Sequence, residues 1–157
     1  MIPDGYGVPE TDEGLLDWAG VEERLRSALH YWMATVRRDG RPHVVPRWGV
    51  WLDGQFWYDG AGTTVHARNL AANPACSLHL ESGSEVVILD GTASPTASPG
   101  PELAARLSEA FTKYSSLGYA PGPDAWEGEY AGGLCVFTPT RALAWFSFPG
   151  DVTRFRF

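Results

Sequence analysis

The chain has 157 residues, 44% of them hydrophobic, and a formal net charge of −7. Its length fits one domain, 1–157, able to bury a core, and its acidity excludes a nucleic-acid binder, which needs a basic face to release counterions from phosphates. No apolar run is long enough to span a membrane, and Met1-Ile2-Pro3-Asp4-Gly5 lacks the basic and apolar regions of a secretory signal, so a cytoplasmic protein with Cys76 and Cys135 as reduced thiols is expected.

Residues 1–16 are rich in Gly, Pro and acids and read as a loose arm. A helix is predicted over 17–30, with Asp17 as N-cap and Val21, Leu25, Ala28 and Leu29 on one apolar stripe. Tyr31-Trp32-Met33-Ala34-Thr35-Val36 is aromatic and β-branched, as strands are. Asp39-Gly40 makes a tight turn, and the return strand is predicted over 42–52, with Pro42 and Pro46 at positions that donate no ladder bond. Asp53-Gly54 turns the chain into a third strand over 55–58, which completes an antiparallel meander.

After a short helix come a strand over 75–80 and another over 85–93. The centre of the second, Val86-Val87-Ile88-Leu89, is apolar without interruption, as in a strand buried on both faces. Pro101 suits the first position of a helix that runs to about 117, with Gly118 as its stop. The Gly/Pro loop over 119–133 is long enough to be a lid or rim and carries Trp126 and Tyr130. A last hairpin is expected between 134–138 and 142–148, across Pro139-Thr140-Arg141. Roughly seven short strands with inserted helices predict a mainly β fold, a closed or nearly closed barrel.

The stretch Thr63-Thr64-Val65-His66-Ala67-Arg68-Asn69-Leu70 carries the chemistry. The first turn of a helix exposes unpaired N–H groups and partial positive charge. Two hydroxyls and two possible cations, His66 and Arg68, crowd that end, which suits an anion and above all a phosphate. The alternative is a plain connector, capped by Thr63 or Thr64, with Arg68 in solvent and Asn69 bracing the turn. Arg47, among Pro46, Trp48 and Trp51, is either an exposed strand charge or a phosphate contact that also stacks on a ring. His30, His43 and His79 lack metal-site spacing, and no GxSxG elbow or local Cys–His pair points to a hydrolase.

In this order, Tyr31-Trp32-Met33-Ala34-Thr35-Val36, Asp39-Gly40-Arg41-Pro42-His43-Val44-Val45-Pro46, Arg68-Asn69-Leu70-Ala71-Ala72-Asn73-Pro74 and Asp90-Gly91-Thr92-Ala93 resemble the pyridoxamine 5′-phosphate oxidase-like split β-barrels, which include FMN enzymes and oxidoreductases that use the deazaflavin F420. The resemblance implies a homodimer with cofactor sites at the subunit interface. It puts the ring of F420, or alternatively FMN, against Val45, Pro46, Arg47 and Trp48, and the phosphate by Thr63, Thr64, His66, Arg68 and Asn69. Family members often carry Lys where this chain has His66, and a neutral imidazole is a weaker phosphate partner than an ammonium. The activity implied is hydride transfer to a small conjugated acceptor, with Trp126, Tyr130 and Trp145 lining the substrate pocket. The alternative is a barrel that holds a flavin, a deazaflavin or another planar ligand such as haem without turnover. A true pyridoxamine-phosphate oxidase is not expected, because the chain lacks clustered basic residues for two phosphates.

Overall fold

The computed structural model describes Gly7 and residues 11–157, so most of the arm expected over 1–16 lies outside the described residues. Three helices, α1 (Trp18–Ser27), α2 (Val65–Ala72) and α3 (Pro101–Phe111), accompany eight strands. The strands are β1 (Tyr31–Val36), β2 (Pro42–Arg47), β3 (Val50–Leu52), β4 (Gln55–Tyr58), β5 (Ala75–Leu80), β6 (Val86–Pro95), β7 (Cys135–Trp145) and β8 (Thr153–Arg156).

All pairing is antiparallel, in the order β2-β1-β5-β6-β7-β4-β3, with β8 added beside β7. The two ends of this path, β2 and β3, are separated in the chain by Trp48 and Gly49 alone. In a flat sheet, six inter-strand steps of about 4.8 Å would hold those ends roughly 29 Å apart. Three peptide steps reach only about 11 Å. The sheet therefore has to curl until its ends meet, joined by covalent chain rather than by ladder bonds.

This corrects the single return strand expected over 42–52: the strand breaks at Trp48-Gly49, and the two halves pair with different neighbours. Gly49 is required there, because a Cβ would lie 2.4 Å from the Phe56 ring and 2.5 Å from the Trp57 carbonyl oxygen. The Tyr114 hydroxyl pins the seam. It accepts from the Gly49 N–H at 3.0 Å and lies 2.7 Å from the Leu29 carbonyl and 2.8 Å from that of Gly49, either of which can take its proton.

The expected hairpin over 134–148 is also corrected. β7 runs through Pro139, and its register against β6 slips between Asp90 and Gly91. A bulge tolerates a residue without an N–H donor. Gly91 makes the close approach possible, since a Cβ there would sit 2.1 Å from the Thr138 carbonyl oxygen. The second half of β7 pairs instead with β8. The Asp151 carboxylate shapes the intervening turn by accepting from the N–H groups of Phe146 and Ser147 at 2.9 Å.

Two cores result. The barrel interior is filled by Tyr31, Met33, Phe56, Tyr58, Leu78 and Phe137, and a second core under α3 holds Trp57, Leu107, Phe111, Tyr114 and Trp126. Alternate residues of β4 serve each in turn, which is why Phe56-Trp57-Tyr58 shows no polar face. Helix α1 closes one side of the interior with Val21 and Leu25, and the Asp17 carboxylate caps it by accepting from Gly20 N–H at 2.7 Å. At its other end Lys113, the chain's single lysine, donates to the carbonyls of Ala28 at 2.6 Å and Arg26 at 3.3 Å.

Candidate functional site

Strand β4 ends at Tyr58, and Asp59-Gly60-Ala61-Gly62 leads from it into α2. These residues, the cavity-facing flank of α2, the end of β6 and the segment 119–133 enclose a cavity of about 730 Å³, within the usual size of small-molecule sites. Backbone meets backbone at its rim, where Gly60 N–H donates to the Gly133 carbonyl at 3.2 Å. A Cβ on Gly133, whose φ is +78°, would lie 2.2 Å from the Gly60 carbonyl oxygen, so only glycine fits.

Asp59 ties the walls together. Its carboxylate accepts from the Tyr119 hydroxyl at 2.6 Å and the Trp126 indole N–H at 3.0 Å, and its carbonyl accepts from the Arg47 guanidinium at 2.5 Å. The Arg47 guanidinium also lies 5.1 Å from the centre of the Tyr58 ring. The Arg47 Nε and the Tyr58 hydroxyl are buried without hydrogen-bond partners. Burial pushes the Cys135 thiol of the cavity wall upward, so it is a protonated thiol rather than a thiolate nucleophile.

At the start of α2, Thr64 occupies the cap position but its hydroxyl donates to the Ala61 carbonyl at 3.0 Å and makes no cap bond to the helix. The N–H groups of the first turn are thus claimed by no side chain, and the helix dipole adds partial positive charge there. His66, 6% exposed, lines the cavity with its Nε2 3.4 Å from the Thr64 hydroxyl. Burial, and then the Arg47 charge and the neighbouring His43, push its pKa down to about 4. It is therefore neutral near pH 7 and offers a hydrogen bond rather than a charge.

The remaining residues expected at the site are dispersed. Tyr130 lines the cavity. Trp126 is buried in the core under α3, outside the cavity lining, and its indole N–H is bonded to Asp59. Trp145 pairs with Val86 at the far end of β7, with its ring edge on Phe148. Val45 and Arg47 lie opposite Met33 and Tyr31 and share their inward face, whereas Pro46 lies on the outer face. Trp48 is exposed and stacks on Tyr114 at 5.1 Å. Thr63 is exposed before the cap. The Asn69 amide donates to the Thr35 hydroxyl at 3.0 Å and braces α2 to β1. Arg68 does not line the cavity; it lines a separate groove with Arg37 and Arg38. Asp59, Tyr119 and Cys135 were not among the expected site residues. The one hint was a carboxylate placed between an aromatic strand and Gly60-Ala61-Gly62.

A sequence-family model described as pyridoxamine 5′-phosphate oxidase matches residues 19–141. The chain belongs to that family. No curated protein sequence matches the chain. Solved structures share the split-barrel fold at low identity. A conserved hypothetical protein from Mycobacterium tuberculosis is 20% identical, with 88% of this chain and 89% of that one covered and a TM-score of 0.63. A haem-binding protein from Mycobacterium smegmatis is 19% identical with a TM-score of 0.64; the match covers 90% of this chain but 59% of that longer one. An F420 reductase is 21% identical, with 90% and 98% covered and a TM-score of 0.54. Among the described residues of this family member, no helix is long and apolar enough to cross a membrane.

Proposed function

We propose that the protein is an oxidoreductase that transfers hydride between bound F420, or alternatively FMN, and a small conjugated organic acceptor. The observation that carries this reading is the uncapped first turn of α2 beside the cavity, a ready phosphate site next to room for a planar ring. The residues present fit such a ligand. The amides of Val65, His66 and Ala67 and the neutral His66 imidazole would hold the phosphate, with Thr64 orienting the imidazole. Leu70, Pro95, Pro121 and Tyr130 would flank the ring and exclude water. At the wall the Asp59 carboxylate is taken up by Tyr119 and Trp126, while Arg47 donates to the Asp59 backbone carbonyl.

The cofactor would supply the redox chemistry, and the chain supplies position and shielding. That division of labour explains why no acid–base pair of side chains is needed. Val45 to Arg47 of β2, with the adjoining Trp48, stand at one end of the sheet path, and the exposed Val36, Val44 and Trp48 give that end an apolar surface. In this reading a second copy of the chain covers it and brings Val45, Pro46, Arg47 and Trp48 into the finished site. Substrates would be enones, quinones or similar planar acceptors, received in the cytoplasm.

Titration of the purified protein with F420 and with FMN, followed by fluorescence, tests the proposal. Micromolar or tighter binding of one of them is expected, with reduction of at least one acceptor. Binding of neither would reject it. A second reading, a non-catalytic holder of haem or another planar ligand, is favoured by the neutral imidazole of His66 at the cavity wall, an iron-ligand type. Visible absorbance retained through purification, without acceptor reduction, would favour that reading.

A further inference from the structure

Three tyrosines, Tyr58, Tyr119 and Tyr130, line the cavity between β4, α2 and the 119–133 segment. Among the described residues of that lining, Asp59 alone carries a formal charge, because His66 is neutral near pH 7 and no lysine or arginine takes part. Arg47 stands behind the wall, its guanidinium 5.1 Å from the centre of the Tyr58 ring, and does not line the cavity. The 119–133 segment adds Asp124, Glu127 and Glu129, all exposed and, among the described residues, none in an ion pair. The same segment holds no lysine or arginine of its own. The half-buried Tyr119 and the 82% exposed Tyr130 therefore stand in a negative field. Tyrosine rings attract cations through their faces, and carboxylates around a cleft add to that attraction.

The walls also limit the chemistry. Reduction of a neutral enone or quinone takes a hydride and a proton. Burial pushes the Tyr58 and Tyr119 hydroxyls and the Cys135 thiol up, and the neutral His66 carries no spare proton near pH 7. The Tyr119 proton is also given to Asp59. None of these four groups is poised to supply a proton at neutral pH. Tyr58 is 2% exposed, and its hydroxyl is buried with no hydrogen-bond partner, a polar group that the protein itself leaves unsatisfied.

We propose that the acceptor received in this cavity is a planar organic cation, an iminium or an N-alkylated heteroaromatic ring, held by the tyrosine rings and the carboxylates. The inference rests on the proposed function and ranks its planar acceptors, charged ones above neutral enones and quinones. Hydride from the reduced cofactor forms a C–H bond at the carbon bonded to the positive nitrogen. The C=N π pair becomes the nitrogen lone pair, so the acceptor gains two electrons and leaves as a neutral amine, and the cofactor is left oxidised by two electrons. No proton has to be delivered by the walls. The product has lost its charge, and with it the attraction that held the substrate.

The test has a binding arm and a turnover arm. Calorimetry on the cofactor-free protein compares N-methylquinolinium, quinoline and quinoline-2-carboxylate, a cation, a neutral molecule and an anion of similar shape, at low and at high salt. The cation should bind about tenfold tighter than quinoline, the anion should bind weakest, and high salt should shrink the preference. Tyr130→Leu should reduce the preference about threefold, whereas Tyr130→Phe, which keeps the ring, should retain it. Glu127→Gln/Glu129→Gln should also reduce it, most at low salt. These positions are exposed, and thermal unfolding checks that each variant is folded. In the turnover arm, protein loaded with F420 or FMN should reduce N-methyl-3,4-dihydroisoquinolinium with a higher kcat/KM than menadione and with little solvent deuterium isotope effect. A cation preference in a protein that takes neither F420 nor FMN would end the hydride reading and leave the cavity as a site for cations. Equal binding of the quinoline series, or a preference that both Tyr130→Leu and Glu127→Gln/Glu129→Gln leave intact, would overturn the proposal. So would a kcat/KM for menadione at or above that of the iminium.

Discussion

The Asp59 carboxylate and the Tyr119 hydroxyl, 60 residues apart in the chain, meet at 2.6 Å and join the strand-end wall of the cavity to the 119–133 segment. The same carboxylate oxygen accepts from the buried Trp126 indole at 3.0 Å. Asp59→Ala leaves both donors without their acceptor, at a cost of about 1–3 kcal/mol for the buried Trp126 indole and less for the half-buried Tyr119 hydroxyl. We expect a lower midpoint of thermal unfolding and faster proteolytic nicking within 119–133. Tyr119→Phe, which removes one bond and leaves the Trp126 bond in place, should cost less. Unchanged proteolysis in Asp59→Ala would mean that other contacts hold the segment.

The barrel seam gives a second test. Tyr114→Phe keeps the ring stacked on Trp48 and removes only the hydroxyl that meets Gly49 and Leu29. The Gly49 N–H then loses its partner in a buried place, so about 1–3 kcal/mol of stability should disappear in denaturant titrations. A loss of a few tenths would show that water replaces the hydroxyl.

His66 makes stability depend on pH. Its folded pKa lies near 4, below the ordinary value of 6.5, so between these limits the unfolded chain binds more protons. Stability therefore rises with pH across this window and is lost as the pH falls from about 6.5 towards 4, by on the order of 2–3 kcal/mol. His66→Gln removes this component, and its stability profile should be flatter than the wild type between pH 6.5 and 4. Parallel profiles would show that His66 does not titrate in that window.

If a phosphate docks at the start of α2, an ammonium in place of the neutral imidazole should strengthen it. His66→Lys is expected to tighten FMN or F420 binding by about fivefold, the effect of one added charge beside a phosphate at a helix start. Weaker binding would show that the imidazole packs against the ligand instead of bonding its phosphate.

Gly133→Ala tests the rim. The added Cβ would collide with the Gly60 carbonyl at a backbone angle that side chains disfavour. Loss of roughly 1–3 kcal/mol and a sharp fall in ligand affinity are expected, read by thermal unfolding with and without F420.

Local signals in the chain were enough for most elements. Asp17 as a cap, Pro101 opening α3, Gly118 closing the turn after it and the aromatic strands β1 and β4 follow from backbone sterics and alternation over a few residues. The resemblance carried by the ordered motifs within residues 31–93 was enough for the family, which the family model matches over residues 19–141. The misread places are those where distant segments compete. Nothing near Gly49 says that Phe56 will press against it, and nothing near Pro139 says that Gly91 will stand opposite. The site divides in the same way. His66 and Tyr130 were nominated from their own neighbourhoods, whereas Asp59 gains its role only from Tyr119 and Trp126 far along the chain. Which flank of α2 each residue occupies is fixed by helical spacing; which flank closes a cavity and which stays an open basic groove is fixed by the β1 end and the 119–133 segment packed around it. Sequence carries short-range propensity directly, but a carboxylate's partners and a helix's neighbours are long-range contacts that exist only once the sheet has curled.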